Sequence, residues 1–432
     1  MDSIWKKEIS MPEFPALHGA HKTDVLIIGG GLTGLLCAYR LKCLGIDCLL
    51  VEADRICSGV TGNTTAKLTA QHGLIYHKLL DRFGAETAKG YLDANLQALS
   101  EYRRICGGID CDLEEKDAFV YTVKDQRNIE KELRALQRLG YRARFSDSLP
   151  LPFPVVGAVC FPEQAQFHPL KFAAAISKDL QIFEQTRITE LQPGRALFDR
   201  GHIDAAHIII ATHFPFLNKH GSYFLKLYQH RSYVMALSGA PAVPGMYVDE
   251  AKTGFSFRTQ GDFLLVGGGG HRTGKPGAGW QPIQELAQQH YPGAGVAARW
   301  AAQDCMPLDD LPYIGQYSSR TENLYVASGF QKWGMTQAMT ASMVLADLVL
   351  GKPNPYAGLF SPSRSMLHPQ LAANISSSLL GLLRPTAPRC PHMGCALQYN
   401  RQEHSWDCPC HGSRFSEDGA VLDNPANSGL NA

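Results

Sequence analysis

The chain of 432 residues is longer than one hydrophobic core usually serves, so we expect two or three domains. Its 41 lysines and arginines nearly balance its 40 acidic residues, which argues against nucleic acid or an anionic membrane as a partner. No run of about twenty apolar residues predicts a membrane span, and the first residues show no signal-peptide pattern. We therefore expect a cytoplasmic protein, in which clustered cysteines more often bind metal or do redox chemistry than form structural disulfides.

The first motif along the chain predicts a dinucleotide site. An apolar run at 25–28 predicts a buried parallel strand, and the pattern G-x-G-x-x-G follows it at Gly29, Gly31 and Gly34. These glycines allow a tight turn, a close approach to a pyrophosphate and close packing of a helix, whose free N–H groups favour phosphate. A second apolar run ends at Glu52, whose carboxylate can accept hydrogen bonds from a ribose.

Two later segments predict further parts of the same domain. Residues 206–214, "AHIIIATHF", have the pattern of a buried strand that ends at Ala211 and Thr212. Residues 323–351 have the pattern of a strand, a glycine turn and a long apolar helix. The polar loop after Glu52 leaves the carboxyl end of a strand, where ligands of doubly wound sheets bind.

These segments resemble the FAD-dependent D-amino-acid oxidase and glycine oxidase superfamily across roughly residues 20–351. Further matching stretches are "SGVTG", "TTAKL", "LPYIG" and "SGFQKWGMT". The resemblance implies an α/β FAD-binding domain of the glutathione-reductase type, with an inserted α+β substrate domain built on a mixed antiparallel sheet. It also implies FAD as the cofactor, with hydride passing to flavin N5 from a carbon beside an amine. The residues that it places at FAD are Gly29, Gly31, Leu32, Thr33, Gly34, Glu52, Ala53, Arg55, Ser58, Thr61, Thr65, Lys67, Ala211, Thr212, Gly329, Gly334, Met335 and Thr336.

The material between the FAD segments predicts the substrate domain. Residues 91–105 and 128–140 carry apolar side chains at helical spacing, and later segments predict strands with a turn at Gln260 and Gly261. Hydride transfer from an amine needs a neutral amine, an aligned C–H bond and water exclusion, so the catalytic candidates are orienting groups. In the family an arginine fork holds the substrate carboxylate, and Arg231 and Arg272 are the two candidates for that role, although the motif aligns neither with the family's arginine. Each candidate is also consistent with a surface or turn position. The candidates are His72, Arg231, Tyr233, His271, Arg272, Lys332 and Trp333.

The end of the chain contains two Cys/His pairs on predicted loops, with a predicted hairpin between them. One pair is Cys390 and His392, and the other is Cys408 and His411. Two thiolates and two imidazoles suit either tetrahedral zinc or a [2Fe–2S] cluster that has two histidines on one iron. The usual zinc signature has a different order of ligands, which favours the cluster.

The tail resembles the Rieske [2Fe–2S] motif. The resemblance implies that Cys390 and Cys408 bind one iron and that His392 and His411 bind the other. It also pairs Cys395 with Cys410 in a disulfide that ties the two loops. Together with the FAD segments, the tail makes nearly the whole chain resemble bacterial glycine-oxidase-like proteins that carry a C-terminal Rieske domain.

The tail departs from the Rieske motif in two ways. Phe415 stands where respiratory Rieske proteins have a tyrosine hydroxyl bonded to a cluster cysteine, while Ser413 remains as a donor. Fewer hydrogen bonds to sulfur predict a lower reduction potential than the respiratory type. The module is also short, so we expect a linker helix to lie against the FAD domain and replace missing strands. The apolar face of that helix is predicted at Leu371, Ile375, Leu379 and Leu382.

The sequence therefore predicts a FAD-dependent amine or amino-acid oxidoreductase, more a dehydrogenase than an oxidase. Electrons would pass through a small all-β Rieske module to an external protein or quinone. Two alternatives are an O₂-using oxidase with a vestigial cluster, and a redox-sensing or structural tail without amine turnover. The predicted FAD-binding parts are 1–80, 186–215 and 301–351, the substrate parts are 81–185 and 216–300, the linker is 352–389, and the module is 390–432.

Overall fold

The computed structural model describes residues 2–217, 220–382 and 388–430. Small parts of the predicted FAD-binding, substrate, linker and module segments therefore lie outside the described residues. Within them, the helices are α1 (Ile4–Glu8), α2 (Leu32–Cys43), α3 (Tyr76–Cys106), α4 (Arg127–Arg138), α5 (Pro169–Ser177), α6 (Tyr223–Lys226), α7 (Gln281–His290), α8 (Gly334–Val349) and α9 (Pro369–Leu382). A 3₁₀ turn spans Val60–Asn63.

The strands, numbered along the chain, form three sheets. They are β1 (Gly19–Ile28), β2 (Cys48–Val51), β3 (Lys67–Leu68), β4 (Glu114–Thr122), β5 (Arg144–Ser146), β6 (Gly157–Gln166), β7 (Ile182–Phe183), β8 (Ile188–Gln192), β9 (Arg195–Phe198), β10 (Gly201–Ile210), β11 (Leu227–Ser238), β12 (Met246–Asp249), β13 (Ser256–Gln260), β14 (Phe263–Arg272), β15 (Gly295–Pro307), β16 (Tyr313–Gln316), β17 (Leu324–Ser328), β18 (Gln398–Asn400), β19 (Ser405–Asp407), β20 (Arg414–Ser416) and β21 (Val421–Asp423).

The first sheet has the order β16-β17-β10-β1-β2-β7, with the β8–β9 hairpin beside β10. Strands β17, β10, β1, β2 and β7 run parallel. Alternate side chains of β1 enter different cores: Val25 and Ile27 pack with helix α2, whereas Leu26 and Ile28 face the core beneath the hairpin. Burial on both faces explains why the apolar run is continuous. The arrangement confirms the predicted FAD-binding fold and brings the carboxyl ends of these five strands to one edge.

The second sheet has the order β15-β11-β14-β13-β12-β4-β6-β3, with β5 beside β6. All of its pairs are antiparallel except β12 with β4, so it is the mixed antiparallel sheet expected of the substrate domain. Gly261 has φ +52° and forms the predicted turn between β13 and β14. Strand β15 stays in this sheet as far as Pro307, so the chain returns to the first sheet after that residue.

The third sheet is small and has the order β18-β19-β20-β21, with strands of three residues each. Tyr399 and Trp406 face each other in the predicted hairpin, and Trp406 pairs with Phe415 on the next strand. Its core contains few side chains other than the cluster cysteines. This sheet confirms the all-β character predicted for the tail.

Helix α9 differs from the sequence-based expectation. Three residues of the predicted apolar face are exposed, with Ile375 at 39%, Leu379 at 55% and Leu382 at 48%. Asn374 and Gly381 are buried instead. The reason is close approach: a Cβ on Gly381 would lie 2.7 Å from Cys410 Sγ, so only the small-residue face fits against the module.

Among the described residues, no helix combines the length and the apolar character needed to cross a bilayer.

Candidate functional site

The glycines of the first motif hold the turn between β1 and α2. Gly29 has φ +111°, and a Cβ there would lie 2.6 Å from the carbonyl oxygen of Ala211. A Cβ on Gly34 would overlap the carbonyl oxygen of Gly29. Gly31 lines the adjoining cavity. Two glycines therefore serve packing of the turn, and the middle one leaves its backbone open to a ligand.

The second strand delivers Glu52 to the same edge of the sheet. Its carboxylate accepts hydrogen bonds from the backbone N–H of Gly30 at 2.6 Å and of Asp54 at 2.9 Å. Burial raises the pKa of the Glu52 carboxyl, although these two N–H groups oppose the shift. Nearby, Thr61 Oγ1 accepts from the N–H of Leu32 at 3.0 Å, which satisfies one free donor in the first turn of α2. The acid and the helix start are thus fixed in place.

A cavity of about 940 Å³ runs from the carboxyl ends of these strands to the substrate sheet. The volume suits a dinucleotide and a small substrate, and the donor set suits FAD. Of the residues predicted at FAD, Gly34 is used in the turn and Thr336 is buried behind His72. All the others line the cavity: Gly29, Gly31, Leu32, Thr33, Glu52, Ala53, Arg55, Ser58, Thr61, Thr65, Lys67, Ala211, Thr212, Gly329, Gly334 and Met335.

Lys67 lies in this wall beside Thr65. Its Nζ donates to Thr65 Oγ1 at 3.2 Å. Burial, with a smaller contribution from Arg258, lowers the pKa of Lys67 to about 7. An ammonium with so few partners is suited to an anionic or acceptor group of a ligand.

The structure places Arg231 outside the cavity wall. Its Nε donates to Glu403 Oε1 at 3.0 Å, and its Nη2 bonds the second carboxylate oxygen. The Tyr233 hydroxyl donates to the same Oε1 at 3.0 Å. The carboxylate that this arginine holds thus belongs to the protein's own tail. No sequence signal marks Glu403, because it is a polar residue in a hairpin loop.

Arg272, the second arginine candidate, also points to the tail. Its guanidinium lies 4.9 Å from the centre of the Tyr228 ring and donates to Asn374 Oδ1 at 3.2 Å and the carbonyl of Cys410 at 3.4 Å. His271 stacks on Tyr233 with ring centroids 5.6 Å apart. Neither residue lines the cavity, whereas Tyr233 does. Arg231, His271 and Arg272 therefore serve the junction with the module, and Tyr233 belongs to both the junction and the cavity wall.

Lys332 lines the cavity. It belongs to a chain of hydrogen bonds with Ser232 and Asp304 that the sequence did not predict. Its Nζ donates to Ser232 Oγ at 2.8 Å, and Ser232 Oγ donates to Asp304 Oδ2 at 2.7 Å. A Cβ on Gly270 would lie 3.4 Å from this Nζ and 2.9 Å from the His230 ring, so the glycine run gives these side chains room. Desolvation by the surrounding protein lowers the pKa of Lys332, although its side chain is 41% exposed, and Asp304 opposes the shift. The chain of hydrogen bonds joins β11, β15 and the loop before α8.

Trp333 lines the cavity beside Lys332 and stacks on His72, with centroids 5.0 Å apart. His72 Nδ1 lies 2.6 Å from the Tyr91 hydroxyl, and its Nε2 lies 2.9 Å from Thr336 Oγ1. Burial lowers the pKa of His72 to about 3, so the imidazole is neutral. His72 therefore supports Trp333 from behind.

The Cys/His pairs of the tail come together between two loops. Cys390 and Cys408 are buried in the same small core. The rings of His392 and His411 lie 4.9 Å apart between centroids. His411 is only 2% exposed, yet neither ring nitrogen has a hydrogen-bond partner. Buried nitrogens without partners are expected of metal ligands, so this set fits a [2Fe–2S] cluster.

Cys395 and Cys410 lie beside these ligands. Their Sγ atoms and that of Cys408 are within 4.8 Å of one another. All of these cysteines are unbonded in the structure. A disulfide between Cys395 and Cys410 stays a prediction.

The cluster loop packs directly on strands that wall the cavity. Gln303 Nε2 donates to the carbonyl of Gly412 at 2.8 Å, and a Cβ on Gly412 would overlap the side chain of Gln229. Gln229 Oε1 lies 3.1 Å from His213 Nε2, and His213 lines the cavity. The ring of Phe214 lies 6.4 Å from that of His411. Few side chains thus separate the candidate cluster from the cavity.

Comparisons with known proteins agree with this geometry. The FAD dependent oxidoreductase family matches residues 24–348, and the Rieske [2Fe-2S] domain matches residues 379–432. The chain is 33% identical to the Rieske 2Fe-2S iron-sulfur protein YhfW of Bacillus subtilis (strain 168) over 488 aligned residues, covering 98% of this chain and 96% of that protein. It is 23% identical to the gamma-glutamylputrescine oxidoreductase of Escherichia coli (strain K12), covering 78% and 86%. The structure of glycine oxidase from Geobacillus kaustophilus superposes with a TM-score of 0.68 at 18% identity, covering 80% of this chain and 100% of that one.

Proposed function

The chain belongs to the FAD dependent oxidoreductase family, and we propose that it oxidises an amine or amino acid and passes the electrons through its Rieske cluster to an external one-electron acceptor. The contact between the cluster loop and the cavity wall carries this proposal. Gln303 directly precedes Asp304 on β15, and Gln229 lies three residues before Ser232 on β11; Asp304 and Ser232 both line the cavity. A cluster held there receives electrons over a short distance. The acceptor is a protein or a quinone.

FAD bound in the cavity supplies a two-electron acceptor, and a [2Fe–2S] cluster in the tail supplies a one-electron carrier. The chain's own residues bind and orient. Lys332 takes the proton of the substrate ammonium, because hydride leaves a carbon only when the neighbouring amine is neutral. Ser232 and Asp304 hold the Lys332 side chain in position. Trp333 and the backbone of the glycine run limit the water around the reacting carbon.

Within this proposal, the contacts of the two candidate arginines favour amines over α-amino acids as substrates. Arg231 and Arg272 are engaged with the tail, so neither offers a fork to a substrate carboxylate. Ornithine and putrescine form a matched pair, since they differ only in that carboxylate. We expect putrescine to bleach the flavin at lower concentration than ornithine in an anaerobic titration. The reverse order would favour an amino-acid substrate.

The first experiment is EPR spectroscopy of dithionite-reduced protein, with iron, acid-labile sulfide and FAD assayed on the same sample. A rhombic signal with an average g below the free-electron value, with two irons and one FAD per chain, is the expected result. A silent spectrum with one zinc per chain would contradict the electron path. Amines are then screened anaerobically for bleaching of the flavin.

A cluster-ligand variant separates electron transfer from substrate oxidation. Cys408→Ser is expected to keep amine-dependent flavin reduction and to lose transfer to cytochrome c, used as a one-electron probe. A regulatory tail would show no amine-dependent reduction in either protein. Equal amounts of peroxide and oxidised amine in both proteins would identify an O₂-using oxidase.

A further inference from the structure

The last part of the module reaches the FAD cavity itself. Strand β21 and the turn after it contribute Val421, Leu422, Asp423, Asn424 and Asn427 to the cavity wall. These residues follow the cluster loop in sequence and lie beyond the part of the tail that holds the cluster ligands. The module therefore forms part of the wall of the FAD cavity and also carries the candidate cluster ligands.

Asn424 fastens this segment to the nucleotide sheet. Its Nδ2 donates to the carbonyl oxygens of Thr212 at 2.5 Å and Phe214 at 2.9 Å, directly after strand β10. Its own carbonyl accepts from Gln229 Nε2 at 3.4 Å. Because Thr212 lines the cavity, the segment is anchored on the rim of the FAD site.

A group of charged residues holds Asp423, which directly precedes Asn424. Asp423 accepts from Arg414 Nη1 at 2.9 Å and lies 3.7 Å from Arg231 Nη1. Arg414 also bonds Glu403 and Asp407, each at 2.9 Å. The segment is thus tied to the substrate sheet through Arg231 and to the module through Arg414.

We infer that residues 421–427 of the module seal the FAD cavity against solvent and dioxygen, so that electrons from reduced flavin leave to the cluster. This inference rests on the proposed function and explains its preference for dehydrogenase over oxidase behaviour. Where the wall is open, O₂ takes two electrons from reduced flavin and two protons and leaves as H₂O₂. Where it is closed, the electrons leave one at a time through the cluster, because a closed site excludes side reactions.

The test opens the wall without removing the cluster. Asn424→Asp keeps the size of the side chain but places carboxylate oxygen against the two carbonyl oxygens that Asn424 now binds. Asn427→Ala removes an exposed side chain from the wall and spares the anchor. Tyr399→Phe is the matched control, because Tyr399 is exposed on the far strand of the module and touches Glu417.

Two measurements on FAD-loaded protein report on the wall, and a third uses protein without FAD. The flavin is reduced with light and EDTA, so no amine is needed, and its reoxidation by O₂ is followed by stopped flow. Iodide quenching of flavin fluorescence measures access of solvent. Hydrogen exchange of residues 212–216 measures loss of the anchor in the FAD-free chain.

We expect both variants to reoxidise at least ten-fold faster than wild type and to be quenched more strongly, with the cluster EPR signal unchanged. Exchange at 212–216 should rise in Asn424→Asp only. If Asn427→Ala is reoxidised at the wild-type rate and its flavin is quenched as in wild type, the inference is overturned. This holds even if Asn424→Asp fails to fold. Absence of amine-dependent bleaching would instead count against the proposed amine oxidation, which this test does not use.

Discussion

Arg231 Nε donates to Glu403 Oε1 at 3.0 Å and so joins strand β11 of the substrate sheet to the hairpin of the cluster module. Both side chains are nearly buried, and Arg414 shares the same carboxylate. A charge-assisted pair of this kind is strong only while all partners are present. The pair therefore makes the docking of the module sensitive to single substitutions.

Glu403→Gln is expected to destabilise the docked module by about 3–5 kcal/mol, because it leaves two buried guanidinium groups without their shared carboxylate. Urea unfolding followed by the cluster's visible absorbance measures the loss. Glu417→Gln is the control, since Glu417 is exposed on the same module, and its effect should stay below about 0.5 kcal/mol. Equal effects of the two changes would contradict the role given to the pair.

The Arg231–Glu403 pair also predicts that acid lowers the stability of the folded protein. Burial alone raises the pKa of Glu403, but Arg231 and Arg414 outweigh it, and the pKa is lowered overall. Asp423 is lowered in the same way by Arg414 and Arg231 against the effect of burial. A lowered carboxyl pKa stabilises the folded state above the ordinary value of about 4, and that stability is lost as the pH falls through the folded value. Wild type should lose stability below about pH 4 more steeply than Glu403→Gln in acid titrations followed by cluster absorbance.

Lys332→Met is expected to slow anaerobic flavin reduction by an amine by about 10²- to 10⁴-fold, because it removes the proton acceptor. In wild type the rate should rise with pH through the lowered pKa of Lys332. Asp304 raises that pKa, so Asp304→Asn should move the rising limb to lower pH. Stopped-flow reduction across pH measures both effects. An unshifted limb in Asp304→Asn would exclude Lys332 as the titrating group.

Phe415→Tyr is expected to raise the midpoint potential of the cluster. Phe415 is buried in the same small core as Cys390 and Cys408, and a hydroxyl there would add a hydrogen bond to sulfur. One such bond contributes about 1.4 kcal/mol, or roughly 60 mV for one electron. Redox titration monitored by EPR gives the midpoint, and Phe415→Leu serves as a control without a hydroxyl. An unchanged or lower midpoint in the tyrosine variant would refute the argument.

A separately expressed fragment 384–432 should fail to hold its cluster. Its strands are three residues long, and Gly412 and Arg414 rely on Gln303 and, through Glu403, on Arg231 of the substrate sheet. Below about 70 residues a core seldom suffices without such support. Iron and sulfide analysis after refolding with iron and sulfide measures loading. A stable, fully loaded fragment would show that the module folds by itself.

Helix α9 is present as predicted from the sequence, but the prediction of its buried face was wrong. Periodicity locates a helix and its apolar stripe, and the helix is present at Pro369–Leu382. Periodicity does not say which face meets a neighbour, because that depends on how closely the backbones approach. Here the space beside Cys410 admits only Gly381, so the leucines lie outside.

The sequence by itself determined the features that depend on local spacing. Glycines at fixed offsets, apolar runs and the paired Cys/His boxes identified the FAD-binding fold and the cluster motif, because turn geometry and ligand spacing act over short stretches of chain. The partners of Arg231, Lys332 and Asn424 were decided only by the tertiary structure. Their hydrogen-bond partners Glu403, Ser232 and Thr212 lie from 100 to 212 positions away, and such contacts arise from packing of sheets and modules that leaves no periodic trace in the chain.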